Sequence, residues 1–310
     1  MYLGIDIGGT KCAVSIGDNT GKIYTRESFL TNEPLGPEQS ISKLLETAEK
    51  LVHTTTHKIK AIGVSCGSPM NSQAGIILSP PNLPSWKEVP ITKIFSDKFQ
   101  LPTFLENDAN ACALAEYLYG AGQGYSNIVF ITFGTGCGAG LILDKKLYRG
   151  SNGFAGEVGH LRLTPTGPVG YHKAGSMEGY CSGGGLAQLA IIMRPTFNGP
   201  TNCSATPTAE ELGNLAKQGD AFAIQVFEQS GFYLGQGLAL ILDLLNPERI
   251  IIGSIYSRCE QLLRPKMLVA LKQEALSYTS EICEIVPAGL GEKGGDLAAI
   301  SIADYHLRNL

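Results

Sequence analysis

The sequence carries no Cys-x-x-Cys pair, no uninterrupted apolar run of about 18 residues and no Gly-x-x-x-x-Gly-Lys-Ser/Thr stretch. Its eight cysteines, Cys12, Cys66, Cys112, Cys137, Cys181, Cys203, Cys259 and Cys283, are spread singly along the chain. That spacing offers no paired-thiol metal site or redox couple, and most of them read as reduced, buried small residues. Without a long apolar run there is no candidate membrane-spanning helix, and the opening Met1-Tyr2-Leu3-Gly4-Ile5-Asp6 has no basic leader ahead of an apolar segment. A soluble, cytoplasmic protein is expected. Excess positive charge is missing too: 24 Lys and Arg against 28 Asp and Glu leave a formal charge of −4, with the basic residues scattered. A nucleic acid or other polyanionic partner is therefore not expected.

What is present is an ordinary globular composition, 44% hydrophobic over 310 residues, long enough for two domains around a cleft. Residues 2–7 read as a strand that breaks at Gly8-Gly9-Thr10 and returns through Cys12-Ala13-Val14-Ser15-Ile16. The pattern recurs from Ile128: Val129-Phe130-Ile131-Thr132-Phe133, then Gly134-Thr135-Gly136, then Gly138 to Leu143. Helical spacing of Ile41, Leu44, Leu45, Ala48 and Leu51, and of Leu234, Leu238, Ile241, Leu242 and Leu245, alternates with strand-like Ala61-Ile62-Gly63-Val64-Ser65 and Arg249-Ile250-Ile251-Ile252-Gly253. Such alternation predicts an α/β fold. A final helix from about Asp296 to His306 carries Leu297, Ile300 and Ala303 on one face and is expected to pack back on the first half. The expected domains are residues 1–119 plus 297–310, and residues 120–296.

Glycines at a strand end let backbone N–H groups approach phosphate oxygens, and a neighbouring carboxylate can hold magnesium or its waters. Asp6 with Gly8, Gly9, Thr10 and Lys11 meets that description, and Gly134, Thr135 and Gly136 repeat the turn. The alternative is a pair of ligand-free hairpin turns. The second turn also matches a dinucleotide fingerprint, but that motif must open a helix, and here Leu141-Ile142-Leu143 continues as a strand. Leu105-Glu106-Asn107-Asp108-Ala109-Asn110 places an acid and two amides where a strand meets a helix. Asp108 or Asn107 there either caps the helix or, for Asp108, accepts a proton from an alcohol during phosphoryl transfer. Glu157, His160 and Glu178 add groups suited to sugar hydroxyls.

Taken together, Asp6-Ile7-Gly8-Gly9-Thr10-Lys11, Gly67-Ser68-Pro69, Asn82-Leu83-Pro84-Ser85-Trp86, Glu106-Asn107-Asp108-Ala109-Asn110-Ala111, Gly134-Thr135-Gly136, Glu157-Val158-Gly159-His160 and Gly295-Asp296 resemble the ROK family of sugar kinases and sugar-responsive repressors. The resemblance spans essentially the whole chain and implies the actin-like, ribonuclease H-like ATPase fold. By carry-over, Asp108 is the catalytic base, with Asn107, Glu157, His160 and Glu178, joined by Gly67 and Asn82, contacting the sugar. Asp6 would sit near magnesium, directly or through a water; Gly9, Thr10, Thr135 and Gly136 near the ATP phosphates; and Gly253 with Ser254 near the nucleoside. A homodimer is also implied. The family usually carries a zinc-binding cysteine segment after its Glu-x-Gly-His. Here Val169, Tyr171 and Ser176 stand at the three cysteine positions, so no structural zinc is expected, and Tyr171 with apolar packing is left to orient His160.

The expected activity is ATP-dependent phosphorylation of a hexose at its 6-hydroxyl, glucose or a related aldohexose being favoured. A repressor of the same family would need an N-terminal DNA-reading module, for which Asp6, almost at the first residue, leaves no room. A sugar-binding scaffold is a second alternative, which would need neither a base nor a phosphate cradle. Another actin-fold phosphotransferase, such as an acid kinase or a nucleotide-hydrolysing chaperone, is a third; against it, Asp108, Glu157 and Glu178 would repel an acidic substrate.

Overall fold

The computed structural model describes residues 1–309, Glu292 without its side chain; Leu310, the last residue of the expected first domain, lies outside the described residues. The first half of the chain runs β1 (Tyr2–Ile7), β2 (Lys11–Gly17), β3 (Ile23–Leu30), α1 (Pro37–Thr54), β4 (Ala61–Cys66), the short pair β5 (Met70–Asn71) and β6 (Ile76–Ile77), α2 (Ile91–Phe99), β7 (Thr103–Asn107) and α3 (Asp108–Tyr119). There follow β8 (Ile128–Phe133), β9 (Cys137–Leu143), β10 (Lys146–Tyr148), the short pair β11 (Val169–Gly170) and β12 (Lys173–Ala174), α4 (Met177–Tyr180), α5 (Gly183–Met193), α6 (Ala209–Lys217) and α7 (Ala221–Leu245). The chain closes with β13 (Arg249–Ser254), α8 (Ile255–Glu274), α9 (Ser277–Ser280), β14 (Glu284–Pro287) and α10 (Gly294–Arg308).

These elements form two compact units. The first takes Met1–Gly124, Lys146–Ala155 and the segment from Gly289 onward; the second takes Tyr125–Lys145 and Gly156–Ala288. The boundaries read from the sequence, at 119/120 and 296/297, both fall inside the first unit. Glu116 on α3 is the reason. Its carboxylate accepts hydrogen bonds from the backbone N–H groups of Ala121 (2.7 Å), Gly289 (3.1 Å) and Leu290 (3.1 Å), which ties both linker segments to α3.

In the first unit the sheet order is β3-β2-β1-β4-β7, with β2 antiparallel to β1, β4 parallel to β1, and β7 parallel to β4. Alternation decides the faces: Leu3, Ile5 and Ile7 of β1 and Cys12, Val14 and Ile16 of β2 enter one core with Leu44, Ala48 and Leu51 of α1 and Phe95 of α2. Against Tyr2 and Ala61 lies α10, through Ile300 and Ala303. Gly63 allows that close approach, since a Cβ there would stand 2.0 Å from the backbone oxygen of Ala299. The buried carboxylate of Asp304 on α10 then accepts from the Tyr2 hydroxyl (2.8 Å), the Tyr119 hydroxyl (2.7 Å) and Arg308 Nε (2.7 Å), so its charge is fully partnered.

In the second unit β9, β8, β13 and β14 run side by side in that order, β9 antiparallel to β8 and the others parallel. This repeats the pattern of β2, β1, β4 and β7, so the repeated sequence hairpin is a repeated structural one. The long α7 buries Leu234, Leu238, Ile241 and Leu242 and stops at Asn246, which takes a left-handed conformation ahead of Pro247. Among the described residues no helix is long and apolar enough to cross a membrane.

A Gly63→Ala substitution cannot be relieved by a side-chain rotation, because its obstacle is backbone. Urea denaturation is expected to show a loss of about 3 kcal/mol; an unchanged midpoint would mean that α10 can shift away from the sheet at no cost.

Candidate functional site

Parallel pairing puts the C-terminal ends of three strands of the first unit at one edge. Ile7 pairs with Cys66, and Cys66 with Asn107, so the turn at residues 8–10, Gly67 and Asp108 emerge side by side although they are far apart in sequence. One residue earlier, Asp6, Ser65 and Glu106 share a row on one face of the sheet. Asp108 Oδ1 accepts a hydrogen bond from Ser65 Oγ at 3.1 Å. A Cβ on Gly67 would stand 3.4 Å from Asn82 Oδ1 and 3.7 Å from Asp108 Oδ2, so those groups meet at one point. Gly9 closes the cluster: a Cβ on it would come within 2.6 Å of the Asn82 backbone oxygen.

The two roles left open for the helix start divide between neighbours. Asn107 is the cap, its Oδ1 accepting from Asn110 N at 2.8 Å, and only its amide NH2 is left to offer a ligand. Asp108 is the first residue of α3 and not its cap. The turn itself is pinned by Thr31, whose hydroxyl donates to the Gly8 oxygen (2.6 Å) and whose N–H donates to the Thr10 oxygen (3.0 Å). Thr10 and Lys11 lie exposed at its tip.

The Asp108 carboxylate is reachable by solvent yet set deep among protein atoms. That burial pushes its pKa up to about 6, against the opposing pull of the Ser65 hydrogen bond. Asp6 is pushed further, to about 7, by burial first and then by the negative charges of Asp108 and Asp296; Arg26, whose Nε donates to Asp296 at 2.6 Å, acts the other way. Such a surplus of negative charge fits magnesium at Asp6. Among the described residues no group of three or more His, Cys, Asp and Glu side chains could hold a metal ion by itself. Magnesium bound through one carboxylate, waters and substrate phosphates needs no such group.

In the second unit, Gly134 N donates to the Gly136 oxygen at 3.0 Å and closes the matching turn. Residues 156–160 lie flat on β9 because Gly156 and Gly159 have no side chain; a Cβ on either would stand 2.1 Å from the carbonyl oxygen of Ala139 or Cys137. That placement aims Glu157 and His160. The Glu157 carboxyl is raised chiefly by burial, with His160 lowering it and Glu178 raising it, so the three candidate sugar contacts are electrostatic neighbours. Glu178 Oε2 accepts from Cys137 N at 3.0 Å, next to the glycine turn.

The segment without the family's cysteines is held by other means. β11 and β12 form a hairpin that turns at Tyr171 and His172, both at positive φ (41° and 64°). Ser176 Oγ accepts from Gly179 N at 3.2 Å and caps the turn of helix that carries Glu178. The Tyr171 ring meets the His160 ring edge-on at 6.1 Å, and Lys173 Nζ donates to the His160 backbone oxygen at 2.5 Å.

Beside the second glycine turn lies a cavity of about 560 Å³ lined by Gly134, Thr135, Gly183, Lys217, Ser254 and Arg258, among others. Its size suits a nucleoside phosphate. Ser254, at the start of α8, sits at φ 62°, uncommon for a residue with a side chain. Gly253 packs instead against the Phe130 ring, where a Cβ would stand 3.0 Å from Cζ.

The ROK family model matches residues 2–305 of this chain. The chain belongs to the ROK family. It is 30% identical to a glucokinase of Streptomyces coelicolor over 98% of its own length and 97% of that protein's. It is 24% identical to the xylose repressor of Bacillus subtilis over 99% of its length and 78% of the repressor's. Among solved structures it matches a ROK family glucokinase from Streptomyces griseus in complex with glucose and AMPPNP, with TM-score 0.79 and 28% identity over 98% of this chain and 99% of that one. Its two-sheet α/β architecture is therefore the actin-like ATPase fold of ROK sugar kinases.

In this ROK chain several site residues escape motif reading. Ser65, the Asp108 partner, looks like any strand residue, and Lys217 and Arg258 reach one cavity from α6 and α8. Gly183 had a visible signal: Ser182-Gly183-Gly184-Gly185 opens α5, and Gly183 N donates to the Gly134 oxygen at 2.8 Å.

Because folded Asp108 holds its proton more tightly than the unfolded chain does, ionisation of its carboxyl opposes folding. The stability of the neutral form is fully present below about pH 4 and is lost as pH rises through about 6. Asp108→Asn is thus expected to raise the melting temperature at pH 8 by roughly 2 °C or more and to lose that advantage near pH 4. A lower melting temperature at pH 8 would contradict the electrostatic account.

Proposed function

We propose that this ROK protein is an ATP-dependent hexose kinase that phosphorylates glucose or a related aldohexose at the 6-hydroxyl, with Asp108 as general base. The observation that carries the reading is the Asp108 carboxyl itself: it heads α3, is oriented by Ser65, faces Gly67 and Asn82, and has a pKa of about 6. Such a group is mostly ionised at pH 7 and still basic enough to take a hydroxyl proton as the oxygen attacks phosphorus. The new oxygen–phosphorus bond forms as the bond from the γ-phosphorus to the β-phosphate oxygen breaks, ADP leaves, and the proton rests on Asp108. Asn82, the Asn107 amide, Glu157, His160 and Glu178 supply directional partners for sugar hydroxyls, with Gly67 giving clearance. The turns at residues 8–11 and 134–136 offer N–H groups to the phosphates, and Ser254, Lys217 and Arg258 receive the nucleoside end. Asp6 would hold magnesium, directly or through water, which when bound supplies positive charge against the triphosphate.

The similarity to the Streptomyces coelicolor glucokinase supports a sugar acceptor, and the AMPPNP complex of the Streptomyces griseus enzyme supports ATP as donor. The family resemblance also supports a cytoplasmic homodimer. A sugar-responsive regulator without catalysis is the second reading, favoured by the alignment with the xylose repressor over nearly the whole chain.

A coupled ADP-release assay over a panel of hexoses and N-acetylhexosamines separates the two. Sugar-dependent turnover is expected, cut about a thousandfold by Asp108→Asn. Between pH 7 and pH 5 the rate should fall to roughly a tenth as Asp108 takes up its proton. Sugar binding with no turnover would instead establish the regulator.

A further inference from the structure

The first unit contains a second cavity, of about 550 Å³, whose lining includes Gln73, Thr92, Phe104, Glu106, Arg149 and His306. None of the roles proposed above uses it. Its floor is the Glu106 carboxylate, only 1% exposed, whose Oε1 accepts from Arg149 Nε at 2.8 Å and from Arg149 Nη2. His306 Nε2 lies 3.0 Å from the same oxygen and 2.9 Å from Arg149 Nη2, and its ring stacks on Phe104 with centroids 5.0 Å apart. The negative group is sealed below while the Arg149 guanidinium and the His306 ring remain reachable: the Arg149 side chain is 32% exposed and that of His306 is 19% exposed. Arg149 Nη1 is not used in these contacts, and the remaining lining is neutral and polar or apolar. A guanidinium beside an imidazole, with its counter-charge out of reach, selects an oxyanion over a cation or a neutral polyol.

The same carboxylate reaches the catalytic helix. Glu106 Oε2 accepts from Asn110 Nδ2 at 3.3 Å, and Asn110 N is the group capped by Asn107 in the turn that begins with Asp108. Asn110 is 2% exposed and its Oδ1 has no hydrogen-bond partner, so Glu106 is its side chain's polar anchor.

We propose that this cavity is a regulatory site for a small oxyanion, a phosphate monoester or a carboxylate, bound by Arg149 and His306. An anion drawing on Arg149 competes with Glu106, loosens its hold on Asn110, and so alters how Asp108 is presented. The binding half stands by itself; the regulatory half rests on the kinase reading.

The test is calorimetric titration of the full-length protein with inorganic phosphate and, separately, with malonate, alongside the wall variants Arg149→Met and Gln73→Leu and the second-unit variant Lys217→Met. Binding of either probe is expected, with a component weakened tenfold or more by Arg149→Met and several-fold by Gln73→Leu and untouched by Lys217→Met, whatever the nucleotide cavity itself takes up. Preference for phosphate would identify phosphate monoesters, and preference for malonate carboxylates. Arg149→Met strands a buried charge and can fail to fold; Gln73→Leu keeps the test decisive. No binding, or binding with no component weakened by Gln73→Leu, overturns the site. Should the anion bind as expected but leave sugar-dependent ADP release by an active enzyme unchanged, the regulatory half is overturned, whereas absence of any turnover counts against the kinase reading alone.

Discussion

Parallel pairing of β1, β4 and β7 is the constraint on which the first unit's chemistry depends. It ends three strands at one edge and so brings together Asp6, the glycine turn, Gly67 and Asp108, which no local interaction could collect. It also crowds like charges. Asp108 and Asp296 add to what burial already costs Asp6 on ionising, and Arg26, committed to Asp296, offsets only part of it. Such a cluster costs stability, and the proposed site, which would receive a cation and take up a proton, gives it a use.

The surrounding structure shows how that cost is carried. α10 lies close on the sheet because Gly63 gives it room, and Asp304 is partnered on every side by Tyr2, Tyr119 and Arg308. Glu106, one row below the reactive edge, is likewise neutralised, by Arg149 and His306. Burial alone would raise its carboxyl, yet hydrogen bonds from His306 and Arg149 hold it below the ordinary value. Two buried acids are thus paired with cations while Asp6 and Asp108 are not, and the proposed roles of those two rest on that contrast.

Much of this was legible in the sequence. Both glycine hairpins stood out because apolar alternation stops at a turn and resumes, and β1 with β2, and β8 with β9, pair accordingly. The final helix was legible from Leu297, Ile300 and Ala303. Which of Asn107 and Asp108 caps α3 was not, since either residue type caps a helix and only the observed bond to Asn110 N decides. Lys217 and Arg258 converge through tertiary packing of α6 and α8, which leaves no periodic trace. The unit edge after Gly124, past the expected boundary near Gly120, is not legible because Glu116 looks like an ordinary helix-surface acid until its three backbone partners are seen. The means of holding His160 without cysteines was half visible, in Tyr171; the contributions of Ser176 and Lys173 needed the fold.

The most direct test of this account is a carbon-13 NMR titration of the aspartate carboxyls in the intact protein, with Asp6 and Asp108 assigned by substitution. Midpoints near pH 7 for Asp6 and near pH 6 for Asp108 are expected in the absence of divalent cation, with the Asp6 midpoint falling when magnesium and nucleotide are added. Midpoints for both residues at the ordinary aspartate value of about 4 would contradict it, because the strand edge would then hold no unmatched charge for a substrate to meet.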